Sequence, residues 1–473
     1  MSSPTARPQP DFNAIRTEFG LRASFDPDVL AEAERAAGAG VAHPGRVDAT
    51  DLELVTVDPP GSKDLDQALA IEVRPGGHRV HYAIADLGAV VIPGGALDSE
   101  VRRRGQTVYL PDFSVPLHPP VLSEGAASLL PGQVRAAVLW TIDLDDAGEV
   151  SEVEVRRAVV RSRAQWDYQG AQAACDAGTL PPALAALPEV GRARRELAIA
   201  RGAVELELPE QEVRPDGRGG WIPTIRQRLD VEAWNAEISL LTGMCAARIM
   251  LEARAGVIRT LPPPTAEGIA GLRQVAAHLG VAWPGPPDEP GTLAKALSGL
   301  DRGAPGSLAL LRAATRLLRG AGYAAFDGTL PEQTGHGGIG APYAHVTAPL
   351  RRLVDRFGAE VCLAATAGTE LPDWLRAALP ALPDTMSASD AVAGKVDRAC
   401  VDAAEVTVLA GRVGESFDAI VLRAPEEESP GEVLVVEPPV IARCTGTLEA
   451  GSRTTVRLTE ADPVSRRVGF TAP

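Results

Sequence analysis

Three aspartates crowd around one predicted turn in the segment VTVDPPGSKDLDQAL. Asp58 ends a run typical of a β-strand, a Pro-Pro-Gly turn follows, and Asp64 and Asp66 are predicted to open the next strand. Residues two apart on an extended strand point to the same side, so Asp64 and Asp66 should share a face close to Asp58. With only Lys63 nearby, these carboxylates repel one another unless a divalent cation lies between them, although a solvated acidic turn has the same composition. Oxygen ligands without cysteine or histidine favour Mg²⁺ or Mn²⁺, so the segment indicates a candidate magnesium site.

The strands that would position these carboxylates are predicted from β-rich runs between residues 52 and 144. The runs are ELVTVD, QALAIEV, HRVHYAIADL and AAVLWTIDL, with a hairpin turn at Pro75–Gly77. From about residue 165 to residue 367 helical periodicity dominates, and the clearest predicted helices cover residues 231–253, 266–279 and 307–318. We therefore expect a large α+β body.

Shorter elements are predicted on either side of this body. Two amphipathic helices are expected near residues 11–19 and 26–37, the second with Asp26 at its N-cap, and residues 37–45 read as a linker. A helix over residues 388–409 leads into short alternating strands that fit a five-stranded barrel of OB-fold size. The expected domains are a short helical segment over 1–45 that would fit a helix-turn-helix-like module, a catalytic body over 46–386, a connecting helix over 387–410 and an OB-fold barrel over 411–473.

Composition restricts the class of protein. A chain of 473 residues with 45% apolar residues can form two or three folded domains, which excludes the fibrous and disordered classes. The five cysteines are scattered, and neither a signal peptide nor an apolar run of membrane-spanning length is evident, so we expect a cytoplasmic protein. The net charge of −16 argues against a generic nucleic-acid coat but leaves room for a basic channel inside an acidic shell.

Motifs beyond the aspartates resemble, in the same order, the RNB catalytic domain of the ribonuclease II family. The family pattern is Asp, five residues and then Asp-x-Asp-Asp, and this chain has DPPGSKDLDQAL. Similar to the following family blocks are HYAIADLGAVV, GGALDSEVRRRGQTVYLPDFSVPLHPPVLSEGAASLLPG, QWDYQGA and GHGGIGAPYAHVTAPLRRLVDRFG. The closing TEADPVSRRVGF is similar to the OB-fold that often ends such proteins. The resemblance implies a mixed sheet surrounded by helices, followed by an RNA-binding OB-fold barrel.

This resemblance implies a magnesium-dependent 3′→5′ exoribonuclease that takes single-stranded RNA by its 3′ end and releases nucleoside 5′-monophosphates. Two ions about 3.5–4 Å apart can activate water, neutralise the phosphate and stabilise the leaving oxygen. By family position, Asp58, Asp64 and Asp66 would hold these ions, and activity would depend most on Asp66. Arg351 corresponds to the family's catalytic arginine, whose guanidinium can hold phosphate oxygens bidentately.

Further residues are expected to contact RNA by the same resemblance. Tyr109 matches an aromatic residue that packs on a base near the 3′ end, and such stacking tolerates any base. Tyr168 and Glu237 align with residues that help to distinguish ribose from deoxyribose, although Glu237 would equally fit an ordinary charge on a helix face. His336 and Asp355 also stand at matching positions, and no role is assigned to them.

The chain departs from the family pattern in two places. Gln67 stands where the family carries a fourth metal-ligating aspartate, and its neutral amide oxygen should bind magnesium more weakly. Only about 45 residues precede the body, too few for the paired cold-shock domains usual in the family, so we expect a wider entrance that could admit structured RNA. Neither membrane association nor an obligate protein partner is indicated.

Two alternatives stay open from the sequence. Gln67 would also fit a catalytically weakened RNA-binding protein on an RNB scaffold. The acidic net charge and the barrel's few aromatic residues, Phe417 and Phe470, would fit a metal-dependent nuclease or phosphatase with a substrate other than RNA.

Overall fold

A mixed α/β body and a closed C-terminal β-barrel make up the structure, a computed structural model. It describes residues 9–41, 45–204, 206, 210–285, 291–301, 303–427 and 429–473. The predictions made for residues 1–8 and for the middle of the linker at 37–45 lie outside the described residues. The predicted α+β class, with helices around a mixed sheet and a terminal five-stranded barrel, is confirmed.

The helices and strands of the described residues are numbered in chain order. The α-helices are α1 (Phe12–Glu18), α2 (Pro27–Gly38), α3 (Ala96–Arg104), α4 (Tyr168–Asp176), α5 (Leu187–Ala200), α6 (Asp230–Ala253), α7 (Ala266–His278), α8 (Thr292–Ser298), α9 (Pro305–Ala314), α10 (Leu353–Thr366), α11 (Asp373–Ala378) and α12 (Leu382–Leu409). The strands of the body are β1 (Val47–Ala49), β2 (Val55–Asp58), β3 (Gln67–Arg74), β4 (Gly77–Ala85), β5 (Val108–Tyr109), β6 (Ser114–Val115), β7 (Val134–Asp145), β8 (Val150–Arg161), β9 (Ala164–Asp167), β10 (Glu210–Pro215), β11 (Trp221–Arg226), β12 (Ala255–Thr260) and β13 (Gly322–Asp327). The barrel strands are β14 (Ser416–Arg423), β15 (Gly431–Val435), β16 (Val440–Thr445), β17 (Arg453–Asp462) and β18 (Arg467–Thr471).

A seven-stranded sheet forms the centre of the body, in the order β1-β8-β7-β4-β3-β2-β9. The strands pair antiparallel except at its two edges, where β1 pairs with β8 and β2 with β9 in parallel. The tight β3–β4 hairpin requires Gly77, because its φ is 147° and a Cβ there would collide with the carbonyl oxygen of Leu144. Residues of β3 and β4 share one buried core with residues of α6 and α10, so these helices have fixed positions relative to the sheet.

The chain also forms strand pairs that the sequence patterns did not predict. The β10–β11 hairpin and the β12–β13 pair both lie where helical periodicity dominates the sequence. β12 follows α6 almost without a break, because Arg254 takes a left-handed conformation (φ 55°) and turns the chain. Its apolar sequence AGVIRT continues the apolar run of the helix, so the boundary has no marker in the hydrophobic pattern.

The N-terminal helices are tied to the body by polar contacts with main-chain atoms. Glu32 of α2 accepts a hydrogen bond of 2.7 Å from the backbone N–H of Ala96, at the first turn of α3. Arg104 donates to the carbonyl oxygen of Ser24 and stacks on the ring of Phe25 at 3.8 Å. These contacts fix α2 against α3, so the segment lies on the body as part of its surface.

The C-terminal barrel closes in the order β14-β15-β16-β18-β17 around its own apolar core. The last turns of α12 enter that core through Val406 and Leu409. α12 begins at Leu382, earlier than predicted, and so connects the body with the barrel over 28 residues. In the part of the chain that the structure describes, no helix has the length and apolar character needed to span a membrane.

Candidate active site

The loop between β2 and β3 positions the three aspartates. β3 begins at Gln67, so Asp64 and Asp66 precede the strand and do not open it, contrary to the sequence-based expectation. Leu65 anchors the loop between them: its side chain is fully buried, and its N–H donates to the hydroxyl of Ser128 at 3.0 Å. Because extended neighbours alternate in direction, Asp64 and Asp66 point away from the side that buries Leu65.

Asp66 is a buried carboxylate beneath an arginine. Its Oδ1 accepts a hydrogen bond of 2.7 Å from the backbone N–H of Leu350, and its Oδ2 lies 3.7 Å from Nε of Arg351. Burial raises the pKa of Asp66 well above its usual value, and the Arg351 guanidinium opposes this shift. The charged form of Asp66 therefore needs further positive charge close to Oδ2.

Asp58, a partly buried residue, is the second acid of the site. Its Oδ2 is buried and receives no well-formed hydrogen bond within the described part of the chain. Burial raises the pKa of Asp58 to about 7, and the nearby charge of Asp64 adds to the shift while Arg351 opposes it. An oxygen atom that is desolvated without a donor is suited to bind a cation.

Asp64 and Tyr109 form the exposed rim of the site. The Tyr109 hydroxyl donates to Asp64 Oδ2 at 2.9 Å, while half of the tyrosine surface remains exposed. Beside them lies a cavity of about 360 Å³, lined among others by Tyr109, Arg351 and Asp397. This volume is at the lower end of the range for small-ligand sites, roughly 300–1,000 Å³.

Arg351 belongs to a loop, Thr347–Arg352, that we call the arginine loop. Its backbone is held at four points by groups from other parts of the fold. The N–H of Ala348 donates to Asp355, the N–H of Leu350 to Asp66, and the carbonyl oxygen of Leu350 accepts from Nδ1 of His118. The carbonyl oxygen of Arg351 accepts from the N–H of Thr107. The loop main chain is thus fixed while the Arg351 side chain stays half exposed.

Gln67 holds the same loop at a fifth point. Its Nε2 donates to the carbonyl oxygen of Thr347 at 2.7 Å. Its Oε1 accepts from the hydroxyl of Tyr82 and, at 3.4 Å, from that of Ser239. Both polar ends of the side chain are therefore engaged with protein groups.

Helix α6 contributes one face to the site. The Asn235 side chain donates to the carbonyl oxygen of Val57 at 3.5 Å and lies near Tyr168, whose pKa is raised by burial and by the nearby charge of Asp58. Ser239, one turn further along, bonds to Tyr82 at 2.7 Å. Glu237 lies between them in sequence and so points to the other side of the helix, where its buried carboxylate acts on Arg194 of α5.

The structure thus brings together most of the residues predicted for the site. Asp58, Asp64, Asp66, Arg351 and Tyr109 lie close enough to interact electrostatically, and Tyr168 lies near Asp58. Glu237 is not brought to this group. Sequence reasoning missed the groups that hold the site from behind, namely Tyr82, Thr107, His118, Asn235 and Ser239.

The donor chemistry of the site fits a divalent cation. Within the described ranges, no group of three or more His, Cys, Asp or Glu side chains is placed to hold a metal ion. Mg²⁺ is commonly bound by one or two carboxylates together with substrate phosphates and water, so a complete protein cage is not required. Asp58 with its unbonded oxygen, Asp64 at the rim and Oδ2 of Asp66 can provide such ligands.

Comparison with known proteins identifies both parts of the chain. A profile of the RNB domain matches residues 46–359, and a profile of the RNase II-type exonuclease C-terminal S1 domain matches residues 415–472. Ribonuclease R of Escherichia coli (strain K12) is 34% identical over 328 residues, which cover 66% of this chain and 39% of that protein. The chain therefore matches well under half the length of this curated relative.

Solved structures of similar fold include an RNase R and a pseudonuclease. RNase R of Mycoplasma genitalium, both in its apo form and in complex with ribose-methylated single-stranded RNA, matches with a TM-score of 0.86 and 20% identity. That match covers 98% of this chain and 77% of the other. Yeast Ssd1, described as a pseudonuclease, matches with a TM-score of 0.69 and 17% identity over 88% of this chain and 53% of its own. At these identities the likeness shows the fold alone.

Proposed function

This chain belongs to the RNB family, and we propose that it is a hydrolytic exoribonuclease that degrades single-stranded RNA from the 3′ end. The observation that carries the proposal is a pair of oppositely charged side chains beside one cavity. Buried Asp66 lies under the half-exposed guanidinium of Arg351, beside the cavity of about 360 Å³ that Tyr109 and Arg351 line. A phosphodiester entering this cavity would contact both the guanidinium of Arg351 and the aromatic ring of Tyr109.

In the proposed mechanism, each residue handles one part of the terminal nucleotide. Arg351 holds non-bridging phosphate oxygens through its planar fork of donors and stabilises the charge that grows on them during hydrolysis. When held there, a divalent ion would provide an activated water and neutralise phosphate charge. Asp58, Asp64 and Asp66 would hold Mg²⁺, with Mn²⁺ as a substitute, and the product would be a nucleoside 5′-monophosphate.

RNA is the substrate favoured by the surroundings of the phosphate site. The exposed ring of Tyr109 offers a stacking surface for any base near the 3′ end, and such stacking contributes about 1–3 kcal/mol per base. Tyr168, which lies near Asn235 and Asp58, would contact the ribose of the same nucleotide. The fold's match to an RNase R bound to single-stranded RNA supports this choice of partner. Residues 411–473 would serve as the RNA-binding OB-fold.

One assay tests the proposal against its alternatives. A 5′-labelled oligoribonucleotide and its DNA counterpart are incubated with the full chain, with and without Mg²⁺. We expect a ladder of shortened RNA products only when Mg²⁺ is present, and intact DNA. Binding of RNA without cleavage would instead identify a pseudonuclease, and cleavage of DNA would exclude a dedicated exoribonuclease.

A further inference from the structure

The side-chain amide of Gln67 has a direction that its neighbours determine. Thr347 offers a carbonyl oxygen at 2.7 Å, which can only accept, so the NH₂ group must face it. The opposite atom, Oε1, receives the hydroxyl of Tyr82, which Ser239 also contacts at 2.7 Å. If the amide were flipped, Oε1 of Gln67 would face the carbonyl oxygen of Thr347, and both atoms are acceptors. The hydrogen-bond pattern therefore leaves one orientation, with Oε1 turned to the protein interior.

An amide is the group that this position requires. An ionised carboxylate at residue 67 would place an acceptor oxygen against the carbonyl oxygen of Thr347, and the two would repel each other. An aspartate would also be one methylene shorter and would fall short of the loop. Tyr82 is fully buried and anchors the acceptor end, so the glutamine bridges the sheet core and the arginine loop.

We propose that Gln67 is a positioning residue that fixes the arginine loop over Asp66, and that it does not ligate the catalytic ion. This inference rests on the exoribonuclease function proposed above. Gln67 acts through Thr347, and Arg351 follows four residues later in the same short loop.

The effect on chemistry follows from the geometry of the loop. The N–H of Leu350 and the guanidinium of Arg351 both face Asp66, so a shift of the main chain at Thr347 displaces both contacts together. Displacing a positioned group by about 1 Å can slow an enzyme about 10²-fold. The stacking surface of Tyr109 lies outside the loop and would still bind the RNA, so the loss should fall mainly on kcat.

The test uses the full chain with Gln67→Met, which keeps the length of the side chain and removes its donor. Gln333→Met is the matched control, because the Gln333 amide also donates to a backbone carbonyl, that of Gly335, outside the site. We expect Gln67→Met to lower kcat by about 10-fold to 100-fold, with the KM for a 5′-labelled oligoribonucleotide changed less than about threefold. Amide hydrogen exchange in a peptide covering residues 347–352 should speed up at least about tenfold, and the Kd for Mn²⁺, titrated without RNA, should change less than about twofold.

Other outcomes would overturn the inference. A weaker Mn²⁺ affinity with unchanged exchange in the loop would make Gln67 an ion ligand. Equal kcat and equal exchange in Gln67→Met and the control would show that the bridge has no effect on the site. Ser239→Ala and Tyr82→Phe, which leave Gln67 in place and loosen its Oε1, should give the same pattern with smaller changes. This series also decides the question if Gln67→Met does not fold.

The exchange measurement also separates the proposed exoribonuclease function from the proposed positioning role of Gln67. If the unmodified protein does not cleave RNA, the exoribonuclease proposal fails, while faster exchange in Gln67→Met still supports the positioning role. If the unmodified protein cleaves RNA and Gln67→Met cleaves it equally fast, only the positioning role fails.

Discussion

Two regions, the arginine loop and the junction between the barrel and the body, are stabilised by different kinds of contact. The loop is fixed by buried groups from distant parts of the chain, such as Asp66 on Leu350 and His118 on the carbonyl oxygen of the same residue. Burial lowers the pKa of His118 to about 4, so this donor stays neutral across the physiological range. The barrel is joined through an ion pair of Arg312 with Glu432, both partly exposed to solvent, and through a buried acid, Glu405.

This difference indicates that pH and salt should affect the junction more than the arginine loop. The buried contacts of the loop are shielded from salt. Its neutral partners, His118 and Gln67, keep one protonation state near pH 7. Those of the junction change with pH and salt because a titrating acid and a solvated pair form them. The exoribonuclease proposed above needs a fixed site and can tolerate movement where RNA arrives, and the chemistry of each region agrees with that proposal.

Asp66→Asn should cause the largest loss. Asparagine can still accept from Leu350 but removes the charge under Arg351, so we expect the single-turnover rate on labelled RNA to fall about 10³-fold. Because burial raises the pKa of Asp66, its charge costs folding free energy, and the variant should unfold at a higher temperature in chelator. Asp146→Asn, at an exposed turn, is the control. A rate within tenfold of the unmodified protein would show that the buried charge is dispensable.

Arg351→Lys should have the next largest effect. Lysine keeps the positive charge over Asp66 and loses the planar fork that grips two phosphate oxygens, so we expect kcat to fall about 10²-fold. Steady-state kinetics on the same oligoribonucleotide would measure this loss. Arg376→Lys, in an exposed pair with Asp327, should be neutral. Equal kcat in both variants would mean that charge alone suffices at residue 351.

Glu405→Gln tests the pH response of the junction. Glu405 of α12 accepts from the N–H of Ile441 in β16 and from Gln211 in β10, and burial raises its pKa from 4.5 to about 7. The folded protein therefore binds a proton more tightly here, so this group lowers stability as pH rises from about 4.5 to 7.

At pH 8 the penalty is complete, and the shift corresponds to roughly 3 kcal/mol at most. Urea unfolding of both proteins at pH 5 and pH 8 measures it, and the gain of Glu405→Gln over the unmodified protein should be larger at pH 8. An equal difference at the two values of pH would contradict the assignment of a titrating acid to the junction.

Glu432→Gln should give the smallest change. It removes one partner of the Arg312 pair, and solvent exposure limits the loss to less than about 1 kcal/mol in unfolding free energy. The loss should shrink further in 1 M salt, in contrast to every change made at the arginine loop. Glu449→Gln, also on the barrel, provides the comparison for a glutamate of the same surface. A salt-independent loss would place this pair among the shielded contacts.

The sequence predicted the elements that have a local pattern. The strands around Asp58 and the five strands of the barrel alternate clearly enough to be recognised, and Arg351 lies in a family motif. The β10–β11 hairpin was missed because its short strands lie within a helical stretch. The hydrogen bond between Gln67 and Thr347 joins residues 280 positions apart, and no pattern within a segment records such a contact. For Glu237, family position gave no information on which face of α6 points to the site.

The contacts that hold the arginine loop are made to its main-chain atoms. This determines which loop residues can be substituted without losing those contacts. A backbone N–H is present whatever side chain stands at residue 350, so that position can drift among apolar residues without losing its bond to Asp66. The residues that supply the grip, His118 and Asp355, have no such freedom. Evolutionary constraint is thus transferred from the loop to the residues that support it, of which His118 lies 232 positions from Leu350, where a search for residues facing the substrate would not find it.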